Sequence, residues 1–292
     1  MTKDREAPLQ EHLTELAIRL RRILIAIGLS AAILSALPAG FNGPVYVPLI
    51  SKLPALLVSI TVPKQIKTLD GKVYNVTIMP SGAFESLSIL FYAAILMGVI
   101  GASPVIAREI WGFIEPALYP HEKRFVKRYV PLFVISFIAG SMLGIFLAAP
   151  LIMRLTLSLY PYFVPQGYPV IIKVGIDEAV SFAIEMAIAM GLIAESPIIA
   201  YLLLAYGIID PGMIGKDTMK YIFLGSMVLG AIISPDPSGI GMIVIGLSIY
   251  LPLHIAIKLG IKAYHRRKEE IELRETLELV VAEAKEASQP QG

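Results

Sequence analysis

The chain has 292 residues, of which 56% are hydrophobic and 16% charged, with a net charge of +2 and a mean hydropathy of +0.71. About a quarter of the residues of a soluble domain are charged, and its apolar residues recur at helical or strand period rather than in long blocks, so a water-soluble globular fold is excluded. The absence of cysteine rules out disulfide frameworks, thiolate metal sites and cysteine nucleophiles, and the small net charge gives no footprint for nucleic acid.

Crossing about 30 Å of hydrocarbon takes roughly 20 apolar residues, and six stretches meet or approach that length. They cover residues 20–38, 84–106, 129–153, 179–206, 221–233 and 240–259. Before the first, Leu9, Leu13, Leu16 and Leu20 share one helical face, with His12, Glu15 and Arg19 turned toward water. That pattern predicts an amphipathic helix on the membrane surface that turns into the first span. Glu15 and Arg19 stand at i,i+4, where a plain surface ion pair is worth a few tenths of a kcal/mol, so spacing alone leaves both a pairing role and a binding role open. The first span is expected to be retained, because its apolar part is long, no small-residue cleavage pattern follows, and Pro44, Pro48 and Pro54 begin a loop.

Between the second and third spans runs Ser103-Pro104-Val105-Ile106-Ala107-Arg108-Glu109-Ile110-Trp111-Gly112-Phe113-Ile114-Glu115-Pro116-Ala117-Leu118-Tyr119-Pro120-His121-Glu122-Lys123-Arg124. Trp111, Phe113 and Tyr119 are natural headgroup-level anchors. Glu85, at the outer end of the second span, reads as an interfacial residue. The fourth span holds Glu185 and Glu195, and a carboxylate inside a bilayer costs on the order of 3 kcal/mol and avoids lipid. Glu195, with Gly191 before it and Pro197 after it, is therefore expected to face a polar groove or to bond a neighbouring helix in protonated form. Only fifteen residues separate Lys220 from Asp236, about 22 Å of helix. Local bilayer thinning and a short helix packed within a bundle both fit that length. Past Tyr264 come Arg266, Arg267 and Lys268, then an acidic stretch with Leu273, Leu277, Val280, Val281 and Ala284 on one face, read as a cytosolic helix extending the last span.

Nineteen of the 25 Lys and Arg lie in the N-terminal segment, the second and fourth loops and the C-terminal segment. Positive charge collects on the cytoplasmic side. The fold expected is therefore an all-α polytopic membrane protein with six transmembrane helices and both termini cytoplasmic. It divides into a cytosolic amphipathic segment (1–19), a six-helix transmembrane domain (20–260) and a cytosolic helical tail (261–292).

Two ordered stretches resemble the family of the signal-receptor (C) subunit of the twin-arginine protein translocase (TatC). One is Pro8, Leu9, His12, Leu13, Glu15, Leu16, Arg19 and Leu20; the other runs from Trp111 and Phe113 through the proline turn to Leu118, Tyr119, His121, Glu122, Lys123 and Arg124. Pro48-Leu49 and the trio Gly191, Glu195 and Pro197 extend the resemblance, which departs at Ala17 (usually arginine), at Asp236 (one position from the family's aspartate) and at His254 (often acidic). It implies a non-enzymatic core subunit that binds twin-arginine signal peptides of folded precursor proteins at the cytoplasmic face and organises their transport. Two guanidinium groups that never lose their charge must be met by carboxylates, and Glu15 and Glu122 are the residues to form those charge-assisted bonds. Arg19 and His121, with Lys123 and Arg124, would hold the carboxylates in place, and Phe113 would support the peptide's apolar flank. Pro48 is a structural loop residue and Glu195 an intramembrane polar site. The implied partners are the peptides, the small single-span subunits of the same translocase and membrane lipids, with no cofactor and no metal; the location is the cell membrane and the energy source the proton-motive force. An alternative class is a proton-coupled secondary transporter relaying through Glu185 and Glu195. An intramembrane enzyme is disfavoured, because His12, His121, His254 and His265 form no metal or serine-histidine pattern and no phosphate-binding glycine loop is present.

Overall fold

The computed structural model describes residues 9–42, 45–68, 71–114, 129–165, 168–234 and 239–287. No proline interrupts the chain from Leu9 to Ala36, and these 28 residues form one helix, α1. The expected turn between a surface segment and the first span is therefore absent. The helix stops where Leu37 precedes Pro38, a position that disfavours helical backbone.

The region expected to be loop from Pro44 onward is built instead. Strand β1 (Pro38–Asn42) pairs antiparallel with β2 (Val45–Pro48), and Pro48, in extended conformation, caps the start of α2 (Leu49–Thr61). The Ser51 hydroxyl donates to the Pro48 carbonyl at 2.7 Å, so Pro48 fixes a strand-to-helix corner. Next, β3 (Gln65–Lys67) pairs antiparallel with β4 (Val73–Met79). On its other edge β4 pairs parallel with β5 (Ile172–Gly175), in register from Val76 opposite Ile172 to Met79 opposite Gly175. The fold is thus mostly but not wholly helical. The β-branched residues of Val73-Tyr74-Asn75-Val76-Thr77-Ile78 favour a pleated strand, and their partner comes from nearly 100 residues downstream.

Two of these strands lead into long helices, β4 into α3 (Glu85–Ile114) and β5 into α6 (Ile176–Ala205). Glu85 ties the two helix starts together: its carboxylate accepts from the Ser81 amide at 2.5 Å and the Asp177 amide at 2.9 Å, while the Ser81 hydroxyl donates to Asp177 at 3.0 Å. Glu85 stands at the end of its helix, as expected, but is buried, with its carboxylate turned to backbone amides at two helix starts.

Between these helices come α4 (Val130–Leu143), a π turn (Gly144–Ala148), α5 (Ala149–Leu159) and a 3-10 turn (Tyr160–Phe163). Small residues set the helix spacings. A Cβ added to Gly140 would lie 2.5 Å from the Met190 carbonyl and 2.6 Å from the Ala194 Cβ, and one added to Gly144 would overlap the Met186 carbonyl. Gly140-xxx-Gly144 is therefore the face on which α4 and α6 touch, as small-xxx-small faces do between membrane helices. Gly98 on α3 makes the same kind of approach to α1, its Cβ position lying 2.7 Å from the Ile27 carbonyl.

The last two helices are α7 (Lys216–Ile233) and α8 (Ile240–Ala287); α8 runs unbroken from the last apolar stretch into the acidic tail. The chain divides into two compact units, one reaching to Glu195 and including Met227–Gly246, the other made of Ser196–Ser226 and the chain from Leu247 onward. Within the second, the Arg267 guanidinium stacks over Tyr206 at 4.9 Å. There too, Tyr250 packs edge-on against Phe223 and its hydroxyl stands 3.4 Å from His254 Nδ1, so His254 is a packed, hydrogen-bonded residue.

Among the described residues, four helical stretches are long and apolar enough to cross a membrane: Glu85–Phe113, Val130–Phe163, Ile176–Ala205 and Ile240–Glu270. The first and fifth of the six expected spans fall short. Arg19, Arg21 and Arg22 occupy the first half of α1, and Lys216, Asp217 and Lys220 the first turns of α7.

Gly140→Ala should lower the thermal stability of the detergent-solubilised protein by about 1 to 3 kcal/mol through overpacking. Gly28→Ala, on α1 with nothing within 4 Å of its Cβ position, should raise it by up to about 1 kcal/mol through helix propensity. Paired melting curves of the two variants check both signs.

Candidate functional site

Helices α1 and α3 run antiparallel, which brings the start of one to the end of the other. Three arginines enter α1 within four residues, at Arg19, Arg21 and Arg22, and such charges leave water only with partners. Arg19 donates through Nε and Nη2 to one oxygen of Glu15, at 3.0 and 2.6 Å. Its Nη1 reaches α3, meeting both the carboxylate and the backbone carbonyl of Glu109 at 3.4 Å. Arg22 approaches the same Glu109 oxygen at 3.5 Å. Two carboxylates and two guanidinium groups thus form a neutral cluster. Glu109 is buried within it, and losing a partner there would leave an uncompensated charge worth about 3 to 5 kcal/mol.

Gly112, one turn after Glu109, makes room for the cluster, because a Cβ there would fall on the Arg19 guanidinium. Phe113 follows with its ring exposed at the end of α3. Of the predicted residues, Glu15, Arg19 and Phe113 come to this one end of the α1–α3 pair, whereas Glu122 and His121 lie outside the described residues. Pro48 sits at the strand end of the molecule.

Glu195 belongs to a second place, the contact of α6 with α4. Both of its carboxylate oxygens are enclosed and reach no hydrogen-bond partner among the described residues; the Phe137 backbone stands beside them without completing a bond. The Ser141 hydroxyl is enclosed and likewise unmatched, pressed against Gly191, whose Cβ position is only 2.6 Å away. Ser136 donates to the Ala194 carbonyl at 2.8 Å. Serines and one glutamate thus lie along a helix contact that is otherwise made through glycines. Glu185 is exposed and lies about 15 Å of helix from Glu195, so the two are not gathered into one relay.

Sequence reasoning passed over Glu109, Arg22, Gly112 and Ser141. A signal for Glu109 existed, an acidic residue near the end of an apolar helix opposite a run of arginines that needs counter-charge. The Gly140-xxx-Gly144 spacing was equally visible.

A family model described as "Sec-independent protein translocase protein (TatC)" matches residues 11–247. The TatC protein of Aquifex aeolicus (strain VF5) is 33% identical over 263 residues, spanning 90% of this chain and 98% of that one. The TatC of Escherichia coli (strain K12) is 27% identical over 257 residues, 88% of this chain and 89% of its own. A crystal structure of "Twin Arginine Translocase Receptor- TatC" superposes with a TM-score of 0.64 at 27% identity, covering 86% of this chain and 99% of that one.

The Gly112→Ala variant should lose about 1 to 3 kcal/mol of stability, because its methyl group evicts the Arg19 guanidinium. Combined with Arg19→Ala, which empties that space, the same change should cost far less. A double-mutant cycle read by thermal unfolding measures the coupling, and additive losses would refute the contact.

Proposed function

Because this chain belongs to the TatC family of Sec-independent protein translocase proteins, we propose that it is the subunit that binds twin-arginine signal peptides of folded precursors at its cytoplasmic face and organises their passage across the membrane. One observation carries the reading: the Glu15 carboxylate already receives a guanidinium in a fork of two N–H bonds. That is the chemistry an arginine pair demands, since each guanidinium presents a rigid set of donors and never gives up its charge. Glu122, eight residues past the end of α3, supplies the second carboxylate. His121, and in the empty site Arg19, hold the pair in place, and Phe113, exposed beside the cluster, covers the apolar flank of the peptide.

The cluster also supports the orientation. The arginines of α1 and the end of α3 lie at one end of the α1–α3 pair, and the strands lie at the other. The basic end is cytoplasmic, and the Lys- and Arg-rich C-terminal segment assigns the other terminus to the cytoplasmic side of the cell membrane too. Six spans follow when α1 and α7 are counted. The apolar part of α1 and the whole of α7 give about 21 and 27 Å of helix, lengths that neighbouring helices or a locally thinned bilayer accommodate. On this reading residues 1–19 form a cytosolic segment, 20–260 the transmembrane domain and 261–292 a cytosolic helical tail.

As a translocase subunit the protein acts with other components of its system. We assign it the small single-span subunits as partners, with Glu195 as the docking place for a polar group of such a helix or of an inserted signal segment. An enclosed carboxylate with no bonded partner is what a visiting donor would satisfy.

Glu15→Gln and Glu122→Gln should each weaken binding of a twin-arginine peptide by about 1.5 to 3 kcal/mol without unfolding the protein. Wild-type binding should also fall with added salt, since exposed ionic contacts are screened beyond about 8 Å at physiological ionic strength. Titration of both variants and a salt series checks this; affinity indifferent to mutation and salt would sink the receptor reading.

Glu195→Ala should leave peptide affinity nearly unchanged while transport falls. If Glu195 only packs helices, thermal stability falls instead and transport declines in proportion to folded protein. Melting, peptide binding and transport measured on the one variant separate these roles, and full transport by a stable variant would remove Glu195 from the site.

A further inference from the structure

The Arg19 guanidinium is shared unequally. Its short bonds, 3.0 and 2.6 Å, go to Glu15, and its long contacts, 3.4 Å, go to Glu109. The side chain of Glu15 is 35% exposed and that of Glu109 10%. So the accessible carboxylate, the one a ligand would meet, is already occupied by one of the chain's own guanidinium groups, and a buried carboxylate waits at the far side of that group.

A peptide arginine that takes Glu15 Oε1 in the same two-bond fork must displace Arg19 from it. That side chain is only 20% exposed, so driving it into a place without a carboxylate would strand a largely buried positive charge. Glu109 prevents this, because it already touches Nη1 and needs only to draw the guanidinium closer. The competing partner of Glu109, Arg22, is 61% exposed and can return to water or lipid phosphate at little penalty. Gly112 leaves the guanidinium room beside α3.

We propose that Arg19 is an internal occupant of the signal-peptide site, a stand-in for the ligand's own arginine, and that Glu109 is the positioning residue that receives it when a peptide guanidinium takes over Glu15. In the empty receptor the order is Glu15, Arg19, Glu109, Arg22. In the loaded receptor Glu15 holds the peptide, Glu109 holds Arg19, and Arg22 is released. The exchange discriminates by shape: a guanidinium matches the fork that Arg19 vacates, whereas the ammonium of lysine, a point charge, does not. The inference rests on the reading of Glu15 as a peptide contact.

The test is titration of the detergent-solubilised full chain with a fluorescently labelled twin-arginine peptide, using wild type, Glu109→Gln, Arg19→Gln, the double variant, Arg22→Gln and Glu15→Gln, with a melting curve for each. Glu109→Gln should weaken binding roughly five- to tenfold, and the same change on the Arg19→Gln background should have less than about a twofold effect. Arg22→Gln should tighten binding, because Glu109 is then free to draw Arg19 away. An equal loss from Glu109→Gln with and without Arg19 would overturn the proposal by making Glu109 a direct peptide contact. A lower melting temperature with unchanged affinity per folded protein would overturn it by making Glu109 a structural clasp only. If Glu109→Gln does not fold, Arg22→Gln carries the decision by its sign, and unchanged or weaker binding rejects the exchange. Weakened binding by Glu15→Gln alongside a neutral Glu109→Gln would defeat this inference alone. Wild-type affinity in Glu15→Gln would defeat the receptor reading at that residue and the exchange with it.

Discussion

A carboxylate taken out of water must find donors before the surrounding structure can be stable, and helix α3 carries one at each end. Glu85 and Glu109 are both buried and stand about 36 Å apart along the helix axis at 1.5 Å per residue, close to the full thickness of a membrane. Glu85 is satisfied by backbone amides at the start of α6 and before α3. Glu109 is satisfied by guanidinium groups on α1. One helix is thereby pinned to two others, with the two charges kept toward opposite surfaces.

The choice of donor at each end follows from what surrounds it. At the strand end, β4 and β5 run side by side in parallel and deliver two helix starts to the same level, so free amides are already at hand and no cation is needed. At the other end, among the described residues, helices start and stop without a sheet. The donors there must be side chains, and arginines from α1 provide them. A structural amide cannot be exchanged for a ligand, but a guanidinium can. That difference leaves the arginine end, and not the strand end, able to change its partners.

Between its pinned ends the helical body is held by close approach. Gly98 of α3 lies against the α1 backbone, and Gly140 of α4 and Gly144 of the π turn lie against the α6 backbone. In lipid this packing replaces the hydrophobic drive available in water. It also explains the isolation of Glu195. Helices that meet through glycines leave little space, and the polar groups of Glu195 and Ser141 are enclosed without bonded partners rather than spread along an open channel.

Much of this was legible in the sequence. The apolar blocks fixed the membrane class and the placement of the long helices, because bilayer crossing depends on local composition alone. The ordered residues around Glu15 and from Trp111 to Arg124 pointed to the translocase family, and the i,i+4 spacing of Glu15 and Arg19 anticipated their ion pair. What the sequence could not decide was any pairing over long separation. Whether Val73 to Met79 is a strand depends on Ile172 to Gly175 lying beside it; whether Glu85 is exposed or buried depends on where α6 begins. Even the identity of the carboxylate behind Arg19 required the path of the chain, since Glu109 is ninety residues away and becomes its neighbour only because α1 and α3 run antiparallel. Hydropathy and local spacing are one-dimensional properties, whereas the partner of a buried charge is chosen by whichever backbone the fold brings within hydrogen-bond reach.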